Sequence, residues 1–171
     1  MNIFKKLFVN SDKLIKNDKP DIDKLITSSD KNKSIIELDN YICSFCDYGN
    51  KVELLTESQK SFFYNQNVER EINNGGFIQF YLNSSGNFAH ETVDSLKAIG
   101  ANKTAEIVLK ANNQFPDQIV PKNNILRQEV LNKIDKKANE IWEELDQKFI
   151  NYEEDLNSLN IEFIKNNKIE F

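Results

Sequence analysis

Apolar residues recur three and four positions apart along most of this chain, the spacing of helices that bury one face. From Ser34 to Tyr48 the stripe is Ile35, Leu38, Ile42 and Phe45. Ser34 with Glu37 reads as a capping box at its start, and Gly49 as its stop. Thr56 with Gln59 is a second capping box, opening a helix with Phe62, Phe63, Val68 and Ile72 that is expected to end near Asn73. Asn74-Gly75-Gly76 follows, and glycine enters the left-handed region without steric cost, so the pair is expected to make a sharp reversal. Phe77 to Leu82 is too short to assign by period and is read as a helical turn or two, since no partner strand is evident.

Further on, Asn87 is expected to cap a helix with Ala89, Val93, Leu96 and Ile99, closed by Gly100. Asn102 is expected to cap the next, with Ala105, Val108, Leu109 and Ala111, ending before Phe115-Pro116. Helices joined so tightly predict a hairpin. Pro121 can open another helix. The series Val130, Ile134, Ala138, Ile141, Leu145, Phe149, Tyr152 predicts one long helix, or two meeting near Lys136; Leu156, Leu159 and Phe163 continue into a last one. The fold class is therefore mainly α: a single-domain multi-helix bundle with a central hairpin and long C-terminal helices. Residues 1–33 carry short apolar groups among charges, and are expected to form short helices and a linker packed loosely on a main domain, 34–171.

Composition agrees with this outline. Five Gly and three Pro are too few for the many tight turns of a sandwich or barrel. No apolar run approaches the roughly 20 residues of a membrane span, and the opening MNIFKKLFVN lacks the apolar core and cleavage site of a secretory signal. It is read as a short amphipathic helix lying on the domain or on a membrane surface. Two cysteines without such a signal point to the cytoplasm.

The net charge of −5 disfavours direct nucleic-acid binding, which needs a basic face. The charge is also unevenly placed. Between Ala138 and Glu162 there are eight carboxylates (Glu140, Glu143, Glu144, Asp146, Glu153, Glu154, Asp155, Glu162) against the single base Lys148. Such a run is either a solvated helix face or a surface for a basic partner.

Catalytic and metal chemistry finds little support. Cys43 and Cys46 form a C-x-x-C, but two Cys and one His cannot complete a structural zinc site, and the pair falls late in a helix. Both are expected to be buried as small hydrophobes. His90 stands without a nucleophile-elbow pattern and is expected to cap a helix or lie on the surface. No phosphate-binding glycine loop, H-E-x-x-H or calcium loop occurs, and no cofactor or metal is expected.

The segment EINNGGFIQFYLNSSG, Glu71 to Gly86, is the unusual part, with Asn73, Asn74, Gln79 and Asn83 set among Phe77, Phe80 and Tyr81. Gln79 and Asn83, four apart, would share a helix face. Amides so placed either form a satisfied network that organises a turn, or line a polar and aromatic groove. With Ala-Ile-Gly-Ala at 98–101, the run from Glu71 to Ala111 resembles a bacterial domain family of unknown function named for an acidic DNA-mimic protein. The motif positions that carry the resemblance include Glu71, Asn74, Gly75, Gly76, Phe77, Gln79, Asn83 and Gly86.

The resemblance implies a helical fold, no known catalytic activity and a founding member that imitates DNA, dimerises and engages a DNA-binding transcription factor. On this chain the corresponding expectation is a protein partner, specifically a DNA-binding one, met by Glu140, Glu143 and Glu144, with Glu153, Glu154 and Asp155 extending the track; a homodimer is implied likewise. Carboxylates three or four apart on a helix have Cβ atoms about 5–6 Å apart, a spacing that a phosphate-reading surface accepts. The motif itself is not acid-rich, so it reports the fold rather than the binding surface. An immunity or adaptor protein masking a toxin or enzyme is the alternative. An enzyme would need Glu71, Gln79 and His90 in one pocket.

Overall fold

Asp30 accepts the Lys33 amide at 3.0 Å and so starts its helix three residues before the expected box. Ser34 Oγ instead donates to the Asp30 carbonyl, and its side chain is buried. The computed structural model describes residues 19–134 and 136–171; the groups expected to form short helices around Phe4, Leu7 and Leu14 lie outside the described residues.

Among the described residues eight α-helices follow in order: α1 Ile22–Thr27, α2 Lys31–Phe45, α3 Glu57–Leu82, α4 Ala89–Ala98, α5 Asn102–Asn112, α6 Asn124–Leu131, α7 Lys136–Ile150 and α8 Leu156–Asn166, with short 3-10 turns between them. No strand occurs among the described residues, so the fold is mainly α.

The glycine pair does not end α3. Both halves of the Thr56 and Gln59 capping box are formed, and helical structure resumes after a kink at Gly75–Gly76. Gly76 has φ +73°, where a side chain is strained, and a Cβ there would run into the Asp146 carboxylate. Gly75 is extended, so only one of the two supplies the left-handed turn.

Two apolar clusters meet along α3. Phe62, Phe63 and Tyr64 pack with α1, α2, Ile161, Ile164 and Phe171. Val68, Ile72, Phe77, Phe80 and Tyr81 pack with α4, α5, α7 and Leu156. Ile22 and Leu25 of α1 are buried in the first cluster. The hairpin of α4 and α5 closes as the Gly100 signal implied: the Gly100 amide donates to Lys97 and the Ala101 amide to Leu96, satisfying the carbonyls at the end of α4.

Several local expectations are corrected. Phe45 is 45 % exposed, stacked on Tyr41, and Cys46 takes the buried place at the end of α2. Neither Asn87 nor Asn102 is an N-cap: α4 begins after Phe88 and α5 after Ala101. Helix α6 starts at Asn124, capped by Asn123, three residues after Pro121. Of the two readings of the C-terminal series, the structure has two helices, α6 ending at Leu131 and α7 beginning at Lys136. Helix α7 stops at Ile150, and Tyr152 lies beyond it at φ +47°.

Candidate functional site

The motif segment folds into a bracket around the kink. Glu71, half-buried before the glycines, accepts Gln79 Nε2 and Asn83 Nδ2 at 2.8 Å each on one oxygen and Ser85 Oγ at 3.0 Å on the other. One carboxylate thus ties the helix before the kink to the turn after it. Breaking the helix frees the Phe77 amide, and Asp146 of α7 accepts it at 2.8 Å. Burial pushes the Asp146 pKa up and Glu143 adds to this, while the Phe77 bond opposes it; the net shift is upward.

Arg127 of α6 completes the bracket. Fully buried, it donates to the carbonyls of Tyr81 (2.6 Å), Asn83 (2.9 Å) and Pro121 (2.7 Å) and to Asn87 Oδ1 (2.9 Å). Burial lowers its pKa. At Gly86 a Cβ would come within 2.8 Å of Arg127 Nε and 3.0 Å of the Phe80 carbonyl, so this close approach requires glycine. Asn74, just before the kink, is exposed. Sequence reasoning missed Arg127 because nothing in its neighbourhood marks it.

Residues singled out for chemistry are dispersed. His90 accepts the Val120 amide at 3.1 Å, pinning the loop before α6, rather than capping a helix. Glu71 and Gln79 are bonded to each other, and none of the three lines the grooves described below. Cys43 and Cys46 are both buried and free, and burial raises the Cys43 thiol to about 12, with the Asp39 charge adding to the effect. Among the described residues no group of three or more His, Cys, Asp or Glu is placed to hold a metal.

The six surface acids divide into two sets. Glu140, Glu143 and Glu144 are exposed on α7; Glu140 lies 3.6 Å from Lys136, and Glu143 and Glu144 form no hydrogen bond or ion pair among the described residues. The others lie after the helix has ended and are engaged. Glu153 pairs with Lys103 at 3.1 Å. Glu154 accepts the amides of Lys103 (3.1 Å) and Thr104 (2.8 Å) and the Thr104 hydroxyl, filling the capping role expected of Asn102. Burial opposes the charge on Glu154, but these bonds prevail and its pKa is lowered. Asp155 is the N-cap of α8, accepting the Ser158 amide and hydroxyl, which lower its pKa.

Among the described residues the surface has several depressions, of which two are grooves of some size. One, of about 510 Å³, has Phe115, Val130, Ile134 and Ile141 on its walls and Lys133 and Lys137 on its rim. The other, of about 310 Å³, lies between α2, α3 and α8 and holds Asp39, Gln66, Glu69 and Arg70.

A kinked central helix, bracketed by buried polar side chains and flanked by a short hairpin, defines an α-helical domain. Residues 53–167, about two thirds of the chain, match the DMP19-like protein family, and the chain belongs to it. No curated protein and no solved structure matches the chain. The matched span takes in the bracket, both hairpin helices and the acidic face of α7, and leaves out α1 and α2. No helix among the described residues is long and apolar enough to cross a membrane.

Proposed function

We propose that this chain is a non-catalytic protein-binding domain whose α7 face, Glu140, Glu143 and Glu144, occupies the DNA-binding surface of a basic regulator or nucleoid protein. The observation that carries the reading is the pair Glu143 and Glu144, exposed and without a hydrogen bond or ion pair among the described residues beside Glu140. Carboxylates already holding helix ends, as Glu154 and Asp155 do, would have to give up those bonds to meet a partner. Glu143 and Glu144 give up only water, and Glu140 only its exposed contact with Lys136. Membership of the DMP19-like family supports the same reading. The surface is smaller than the six-residue track expected, because the chain turns at Tyr152, and Lys133, Lys136 and Lys137 border it on one side.

The test is capture of partners from native cytosol, with stepwise salt elution and competition by duplex DNA. A DNA-binding protein that leaves at moderate salt, is displaced by duplex, and is lost with E140K/E143K/E144K together is the expected result. Undiminished binding by the triple variant ends the α7 assignment. A salt-resistant toxin-like or enzymatic partner moves the chain to the immunity or adaptor class.

A further inference from the structure

The groove between α2, α3 and α8 has features that the α7 face lacks. Gln66 is only 8 % exposed, lines the groove, and its Nε2 has no hydrogen-bond partner. The amide lies close enough to Glu69 to lower that carboxyl's pKa, but without a bond of ordinary geometry. A buried N–H donor without an acceptor is destabilising, and an occupant that supplies the acceptor would relieve it.

One helical turn on, Glu69 accepts the Tyr152 hydroxyl at 3.0 Å, and Asn73 donates to the same hydroxyl. No cation pairs with Glu69 among the described residues. Arg70 is turned to Asp39 at 2.8 Å. Burial drives the Glu69 pKa upward, and Asp39 and Asp155 add to this, while the Tyr152 and Gln66 contacts oppose it. With Asp39 and Glu69 against Arg70, the charged groups lining the groove sum to a net negative charge. Ile36, 60 % exposed beside the buried Ile35, gives the wall an apolar strip.

We propose that this groove docks a basic peptide segment of a partner protein, its cationic side chain pairing with Glu69 and a backbone carbonyl accepting from Gln66 Nε2. The complementarity is threefold: an unpaired carboxylate for the cation, an orphan amide for the carbonyl, and Ile36 for the aliphatic stem. Four of the lining residues, Asn32, Ile35, Ile36 and Asp39, come from α2, outside the span that matches the family, while Gln66, Glu69, Arg70, Asn73 and Asn157 lie within it. The inference rests on the reading of the chain as a protein-binding domain and is independent of the α7 acids.

The experiment is an NMR titration of the full chain with the blocked tripeptide acetyl-Gly-Arg-Gly-amide, and with its citrulline analogue, which keeps the shape and loses the charge. Saturable shifts are expected at the side-chain amides of Gln66, Asn73 and Asn157. The citrulline peptide and the variant Glu69→Gln, which can still accept from Tyr152, should each weaken binding by about tenfold or more. E140K/E143K/E144K should bind the tripeptide at full strength, which separates this site from the α7 reading. Gln66→Met should lose binding and raise the melting temperature, because it removes an unsatisfied donor; a merely structural glutamine would lower it. Shifts that do not saturate, equal affinity for both peptides, or unchanged binding by Glu69→Gln would overturn the proposal.

Discussion

Asp146 of α7 accepts the amide of Phe77 at 2.8 Å, so a residue 69 positions away caps the helical segment that follows the glycine kink. The carboxylate also lies where a Cβ on Gly76 would be, so the cap and the left-handed turn depend on each other. Removing the acceptor with Asp146→Ala should cost about 0.5–2 kcal/mol, the range for a lost helix cap. Asp146→Asn keeps an oxygen acceptor and should cost less. Denaturant titration of the three proteins decides it, and equal losses for both variants would mean that the negative charge matters more than the cap.

Gly76→Ala should be worse than either. It combines a side chain at φ +73° with a collision against Asp146, and about 2 kcal/mol or more is expected. In the background of Asp146→Gly the collision is relieved, so the double variant should lose less than the sum of the two single changes. Strict additivity would show that backbone strain alone sets the cost.

Arg127 joins the carbonyls at the end of α3 to the loop before α6, and every acceptor it uses is a neutral oxygen. Arg127→Met would leave several of them buried and unpaired, at a combined cost of roughly 3–5 kcal/mol. Arg127→Lys keeps the charge but cannot span acceptors on both sides with a planar fork, and should recover only part of the loss. Melting temperatures measured on the two variants order them; full rescue by lysine would make the charge, not the fork, the essential property.

Glu154 and Asp155 carry pKa values below their ordinary ones because they hold the starts of α5 and α8. A depressed carboxyl pKa stabilises the fold above the unfolded value and loses that contribution as the pH falls through the folded one. The contribution of these two carboxylates should therefore be lost on acidification below about pH 4.5, the ordinary glutamate value. The raised Asp39, Glu69 and Asp146 have the opposite effect, and Glu154→Gln should make the acid side of the slope less steep. Urea midpoints followed from neutral to acid pH give the comparison. An unchanged slope in the variant would place the proton uptake elsewhere.

What the sequence revealed depended on how local its cause was. Thr56 and Gln59 are three residues apart, and their reciprocal cap forms as read. The closure of α4 at Gly100 is equally local. Asn87 and Asn102 have the right chemistry for caps, yet Arg127 takes the first and Glu154 supplies the need of the second from elsewhere in the chain. The amides of the motif announced a polar network, but its anchors, Arg127 and Asp146, lie 46 and 69 residues from Tyr81 and Phe77, which they bond. The acidic run looked continuous because helical spacing was extended past Ile150, where the chain leaves the helix and puts Glu154 and Asp155 to other uses.

The two apolar clusters also differ in how they are strung along the chain. The cluster around Phe80 and Trp142 draws its buried members from Val68 to Leu156, an unbroken span. The cluster around Phe62 takes residues from both sides of that span, Ile22 to Tyr64 and then Ile161 to Phe171. During synthesis the inner cluster has all its fully buried members once Leu156 has emerged, with Leu159 and Phe163 added against it next. The outer one must keep α1 and α2 waiting until Phe171 arrives. Vectorial assembly should thus run from the inside outward, with the kinked helix in place before the chain's two flanks close over it.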